Sequence, residues 1–136
     1  MDKIAAIFNE IPKLEQLFQL IETESGFTSM KFSSVKELSD GIKSNTISID
    51  DLSILIVSGS SKDVDQTLFQ KNIVLLQQLQ RDSRLKKIPL LFLGYKGDSS
   101  LQDICETLGA VYLGIPVTKS RLISCVRDLL TQKADF

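Results

Sequence analysis

The 136-residue sequence contains no histidine, and that absence excludes more than any other feature. Histidine is the commonest metal ligand and the usual general base near neutral pH, so imidazole-dependent triads and dyads have no place here. Cysteine is scarce as well. Cys105 and Cys125 stand in separate amphipathic patterns, and thiols so placed read as small buried apolar groups rather than a disulfide or metal site. The formal net charge is -1, with no basic stripe, which leaves no electrostatic footprint for nucleic acid. No apolar run approaches the roughly 20 residues of a membrane span. The start, Met1-Asp2-Lys3, lacks the charged stretch and long apolar core of a signal peptide. The expectation is a soluble, cytoplasmic protein in a reducing setting, with no metal, cofactor, nucleic acid or membrane among its ligands.

What is present is ordinary globular composition, 43% hydrophobic and 24% charged. A chain of this length is expected to form one domain, residues 1–136, around a core covered by helices. No internal repeat or low-complexity tract interrupts it. The run Ile54-Leu55-Ile56-Val57 breaks abruptly into Ser58-Gly59-Ser60-Ser61. A short, continuously apolar run bounded by turn residues predicts a strand buried on both faces, at the centre of a parallel sheet. Ligands of open α/β sheets lie beyond the carboxyl ends of such strands. At this end the residues are small and polar, with no ionisable group.

The rest of the chain alternates. Lys3–Phe8 predicts a first strand, and Leu14, Leu17, Phe18 and Ile21 give a helix that stops before Gly26. Phe27–Phe32 is a shorter strand nearer an edge. Ser33 or Ser34 is placed to cap a helix through Val35, Leu38 and Ile42. After the charged loop Lys62–Gln66, a long helix begins near Thr67, with Leu68, Leu75, Leu76 and Leu79 on one stripe. Ile88–Leu93 predicts another buried strand ending at Gly94. Ser100-Leu-Gln-Asp103 has capping-box spacing for a helix carrying Leu101, Ile104, Cys105 and Leu108, and Gly109 is a natural stop. Ala110–Leu113 is a last strand. Thr118 caps a final helix with Leu122, Val126, Leu129 and Leu130 inward. Five strands alternating with five helices predict a doubly wound parallel sheet, a flavodoxin-like three-layer α/β domain.

At this level of detail the chain resembles the receiver domain of two-component response regulators. IPLLFLGYKGD, from Ile88 to Asp98, is similar to that family's fourth strand and following loop. GAVYLGIPV, from Gly109 to Val117, is similar to its fifth strand and turn. The resemblance implies a phosphorylation pocket: two acidic residues after the first strand for Mg²⁺, an aspartate acceptor after the third, a hydroxyl after the fourth and a lysine after the fifth. Carried over residue by residue, the acidic pair falls on Asn9 and Glu10. The acceptor falls on Ser58, or on Val57 one residue earlier. The hydroxyl position falls on Gly94 and the lysine position on Ile115, before Pro116. Only the switch aromatic, Tyr112, is kept. The resemblance therefore implies a degenerate pseudo-receiver, without catalysis and without the phosphoacceptor aspartate.

The functional expectation is a phosphorylation-independent signalling or adaptor module that works by protein–protein contact. By the same resemblance, partners or a second copy dock on the face of the fourth helix, fifth strand and fifth helix, with Gln102, Glu106, Arg121 and Arg127 as exposed candidates. Two alternatives stand beside it. One is an atypical phosphoacceptor using Glu10 with Asp63 or Asp65 of the loop after Ser61. The other is a small-ligand site in which Ser58-Gly59-Ser60-Ser61 offers backbone N–H groups and hydroxyls to an anion. In the first reading Tyr112 rests in one orientation set by packing. The Ile115-Pro116 bond is a candidate for the cis form, as the equivalent bond often is in the family.

Overall fold

Among the described residues ten elements alternate: β1 (Lys3–Asn9), α1 (Glu15–Ser25), β2 (Phe27–Lys31), α2 (Val35–Lys43), β3 (Leu52–Ser58), α3 (Gln66–Arg81), β4 (Leu90–Tyr95), α4 (Ser99–Thr107), β5 (Val111–Ile115) and α5 (Lys119–Ala134). The computed structural model describes residues 3–9, 15–59 and 66–134. The strands form one sheet in the order β2-β1-β3-β4-β5, and every neighbouring pair is parallel. The β3 run expected at the centre holds the central place, and all seven of its residues are buried.

Side-chain alternation along the strands feeds two separate cores. Ala6, Phe8, Leu55, Val57 and Phe92 pack on one face with Leu38 of α2, Leu76 and Leu79 of α3, and Leu101 and Cys105 of α4. Ala5, Ile7, Ile54, Ile56 and Leu93 pack on the other with Phe18 and Ile21 of α1 and Leu122, Val126 and Leu129 of α5. A strand lined on both sides in this way is apolar towards both faces, which is why the run Ile54–Val57 of β3 shows no alternation. Full burial of each such side chain is worth ~1.5–3 kcal/mol. Cys105 and Cys125 fall in opposite cores. Both thiols are free and buried, as expected, and the sheet between them rules out a bridge.

Local signals account for most boundaries. Gly26 (φ +72°) and Gly109 (φ +78°) end α1 and the turn after α4. Ser34 caps α2 by accepting from Glu37 N, while the Glu37 carboxylate accepts from Ser33 N and Oγ at 3.1 and 2.6 Å. Thr118 Oγ1 accepts from Arg121 N at 3.2 Å at the start of α5. The Ile115-Pro116 bond is cis.

Several boundaries differ from expectation. β4 begins at Leu90, because Pro89 has no N–H to give the ladder and contributes only its carbonyl, which accepts from Leu55 N at 2.9 Å. It also runs past Gly94 to Tyr95, since those residues still pair with Gly114 and Ile115 of β5. For the same reason β5 extends to Ile115 instead of stopping at Leu113. The α4 cap is Asp98, not Ser100. The helix starts at Ser99, and the Asp98 carboxylate accepts from Leu101 N. Among the described residues no helix is long and apolar enough to cross a membrane.

Candidate functional site

The parallel register brings the carboxyl ends of β1, β3, β4 and β5 to one rim of the sheet. Asn9 lies beside Ser58, Ser58 beside Leu93, and Gly94 and Tyr95 beside Gly114 and Ile115. Asn9, Ser58, Gly94 and Ile115, singled out from separate parts of the sequence, are thus gathered at one place. Glu10, Asp63 and Asp65 lie outside the described residues. Ser58 is fully buried, and Ile115 is 3% exposed. Gly59 donates its N–H to Leu93 O at 3.2 Å, so this donor is already used and is withdrawn from any strand-end anion site. Among the described residues no group of three or more carboxylate, thiol or imidazole side chains is placed to hold a metal ion.

The space over Gly94 is filled by Tyr112. A Cβ added at Gly94 would come within 2.4 Å of the Tyr112 phenol oxygen and 2.8 Å of its Cζ. The phenol donates to Tyr95 O at 2.7 Å, and the ring stacks on Phe92 with centroids 5.7 Å apart and planes 12° apart. Burial pushes the Tyr112 phenol up to about 12, with the charges of Asp98 and Cys105 adding to the effect. Tyr112 is therefore a neutral hydrogen-bond donor held by a stack, a carbonyl and a missing side chain.

Tyr95 O accepts a second bond, from Asp98 N at 3.2 Å. One carbonyl thus joins the β5 aromatic to the residue that caps α4. Asp98 is 2% exposed, and its carboxylate reaches Leu101 N at 3.5 Å. This link escapes sequence inspection, although an aspartate before Ser-Ser and an apolar periodic run is itself a recognised cap signal.

The four candidates of the docking face divide. Gln102 and Arg121 line one groove with Tyr112. Glu106, one turn along α4, accepts from Gln102 Nε2 at 3.4 Å. Arg127 lines a different depression with Glu24, Lys119 and Ser124, between α1 and α5. There Lys119 Nζ meets Glu24 Oε1 at 2.7 Å, and the lysine holds the Glu24 carboxyl below its ordinary range. The groove also contains Lys96, which has no periodic signal in the sequence because it sits in a loop.

No protein-family model and no curated protein matches the chain. Solved structures do match over nearly its whole length. A response-regulator candidate from Chloroflexus aurantiacus J-10-fl superposes with a TM-score of 0.72 at 20% identity, covering 96% of this chain and 99% of that one. A response regulator receiver domain protein from Clostridium thermocellum gives 0.68 at 19% identity, with 98% of both chains covered. A receiver domain protein from Methanospirillum hungatei JF-1 gives 0.68 at 12% identity, covering 99% and 98%. The chain has the flavodoxin-like fold of response-regulator receiver domains.

Proposed function

We propose that the chain is a phosphorylation-independent pseudo-receiver, a non-catalytic signalling or adaptor module that acts by docking to a protein partner. One observation carries the reading: the rim formed by β1, β3, β4 and β5 gathers Asn9, Ser58, Gly94 and Ile115, and none of the four is ionisable. Phosphoryl transfer to a receiver needs a carboxylate acceptor, oxygen ligands for a hard cation and cationic or hydrogen-bonding groups for developing charge. Amide, hydroxyl, hydrogen and alkyl groups at these positions supply no carboxylate and no cation. Tyr112 supports the same reading. In receivers the aromatic moves inward when a hydroxyl is drawn to the phosphoryl group; here it already occupies the space over Gly94. A module of this kind presents one surface at all times, and the surface favoured by the geometry is the one bearing Gln102, Glu106 and Arg121.

The test is chemical. Incubation with acetyl phosphate and Mg²⁺, followed by intact-mass measurement, is expected to give no phosphoryl adduct. An adduct mapping to Glu10, Asp63 or Asp65 would overturn the proposal in favour of displaced acceptor chemistry.

A further inference from the structure

The groove beside Tyr112 has a volume of about 450 Å³ and two charged side chains in its walls, Lys96 and Arg121. Both are cationic. No carboxylate among the described residues lines it, although the chain as a whole carries a net charge of -1. Two acids of α4 and its cap have other partners: Glu106 accepts from Gln102, and Asp98 is buried as the α4 cap.

Both cationic residues stand on hydrogen-bonded backbone. Lys96 N donates to Ile115 O at 3.1 Å. Its aliphatic stem lies on Gly114 so closely that a Cβ there would stand 2.6 Å from Lys96 Cγ. The absence of a side chain at Gly114 thus makes room for the lysine stem, and Lys96 is exposed. Arg121 is fixed in the first turn of α5 by the bond from its N–H to Thr118 Oγ1. Pro116, Val117 and the Tyr112 ring add apolar surface to the same groove.

The geometry points to a short acidic peptide segment of a protein partner as the occupant, with carboxylates paired to Lys96 and Arg121 and an apolar side chain on Pro116, Val117 and Tyr112. This rests on the docking reading above and gives the partner its chemistry. Two cations beside apolar surface do not suit a nucleic-acid backbone, whose binding depends on many neutralised phosphates.

The test uses three short synthetic peptides with the same leucine spacing and glutamate, glutamine or lysine at the remaining positions, plus a single-stranded oligonucleotide, each titrated into ¹⁵N-labelled protein. The glutamate peptide is expected to shift the amides of Lys96, Gly97, Gly114 and Arg121, while the other probes leave them in place. Raising salt from about 0.1 M to about 1 M, which shortens the screening length from ~10 Å to ~3 Å, should weaken the binding severalfold. The exposed pair Lys96→Glu with Arg121→Glu should weaken it roughly tenfold or more, with the rest of the spectrum unchanged. Equal shifts from the glutamine or lysine peptide, equal shifts from the oligonucleotide, or full binding by the charge-reversed variant would each overturn the assignment. Failure here leaves the phosphorylation-independent reading standing, because that reading fails only on a phosphoryl adduct or analogue.

Discussion

The phenol oxygen of Tyr112 occupies the position that a side chain at Gly94 would require: a Cβ there would lie 2.4 Å from it. The two residues are one packing unit split between β4 and β5. The ring is closed in from beneath by Phe92 and from its tip by Tyr95 O. An ordinary side chain at Gly94 and an inward Tyr112 cannot coexist without movement, so each residue sets what the other can be.

Gly94→Ala should therefore destabilise the protein by about 1–3 kcal/mol through overpacking. Tyr112→Ala alone should also destabilise it, by loss of the stack and the hydrogen bond. In the double variant the added methyl meets no ring, and the two costs should fall short of additive by ~0.5–3 kcal/mol, the range for residues in contact. Urea unfolding followed by circular dichroism gives all three values. Strict additivity would mean that the residues do not share the space.

Asp98→Ala removes the α4 cap and should cost ~0.5–2 kcal/mol, with Asp98→Asn recovering much of it. Hydrogen exchange at the Leu101 amide is the local readout, because that N–H is the one the carboxylate receives. Unchanged protection at Leu101 in Asp98→Ala would place the start of α4 under other control.

Alkaline pH should weaken the fold. Burial raises the Cys105 thiol from 9.0 to about 12 and the Tyr112 phenol from 10.0 to about 12. Both groups are neutral when protonated, and a raised value means that the folded state keeps its proton longer than the unfolded chain. Their contribution is complete below the unfolded values and is lost as pH climbs from about 9 toward about 12. For Cys105, which is fully buried, the loss is at most ~1.4 kcal/mol per pH unit. Unfolding free energies measured across that range should fall, and Cys105→Ala should flatten the first part of the decline. An identical slope in the variant would remove the thiol from the explanation.

Much of this architecture is legible in the chain because its signals are local. The apolar run Ile54–Val57, the stops at Gly26 and Gly109, and the caps Ser34 and Thr118 each act within a few residues. The same locality explains the failures. Ser100 to Asp103 has capping-box spacing, yet the cap is Asp98 because the turn bonded from Asp98 N to Tyr95 O begins the helix earlier. Gly94 looks like a strand end, yet pairing with β5 carries β4 through it. At the candidate site, family resemblance picks out positions that the register does bring together at the rim. It groups Arg127 with Arg121, however, although a spacing of six residues turns them about 120° apart on α5 and towards different grooves. The contacts Gly94–Tyr112 and Gly114–Lys96 are tertiary, and a glycine alone does not announce which distant side chain will rest on it.

The most direct test of the account is titration of the ¹⁵N-labelled protein with beryllofluoride and Mg²⁺, a stable stand-in for a phosphoryl group on a carboxylate. The account predicts no change in the amides of Asn9, Ser58, Gly94 and Tyr112. Saturable shifts at Ser58 and Gly94, accompanied by movement at Tyr112, would contradict it and show a working acceptor.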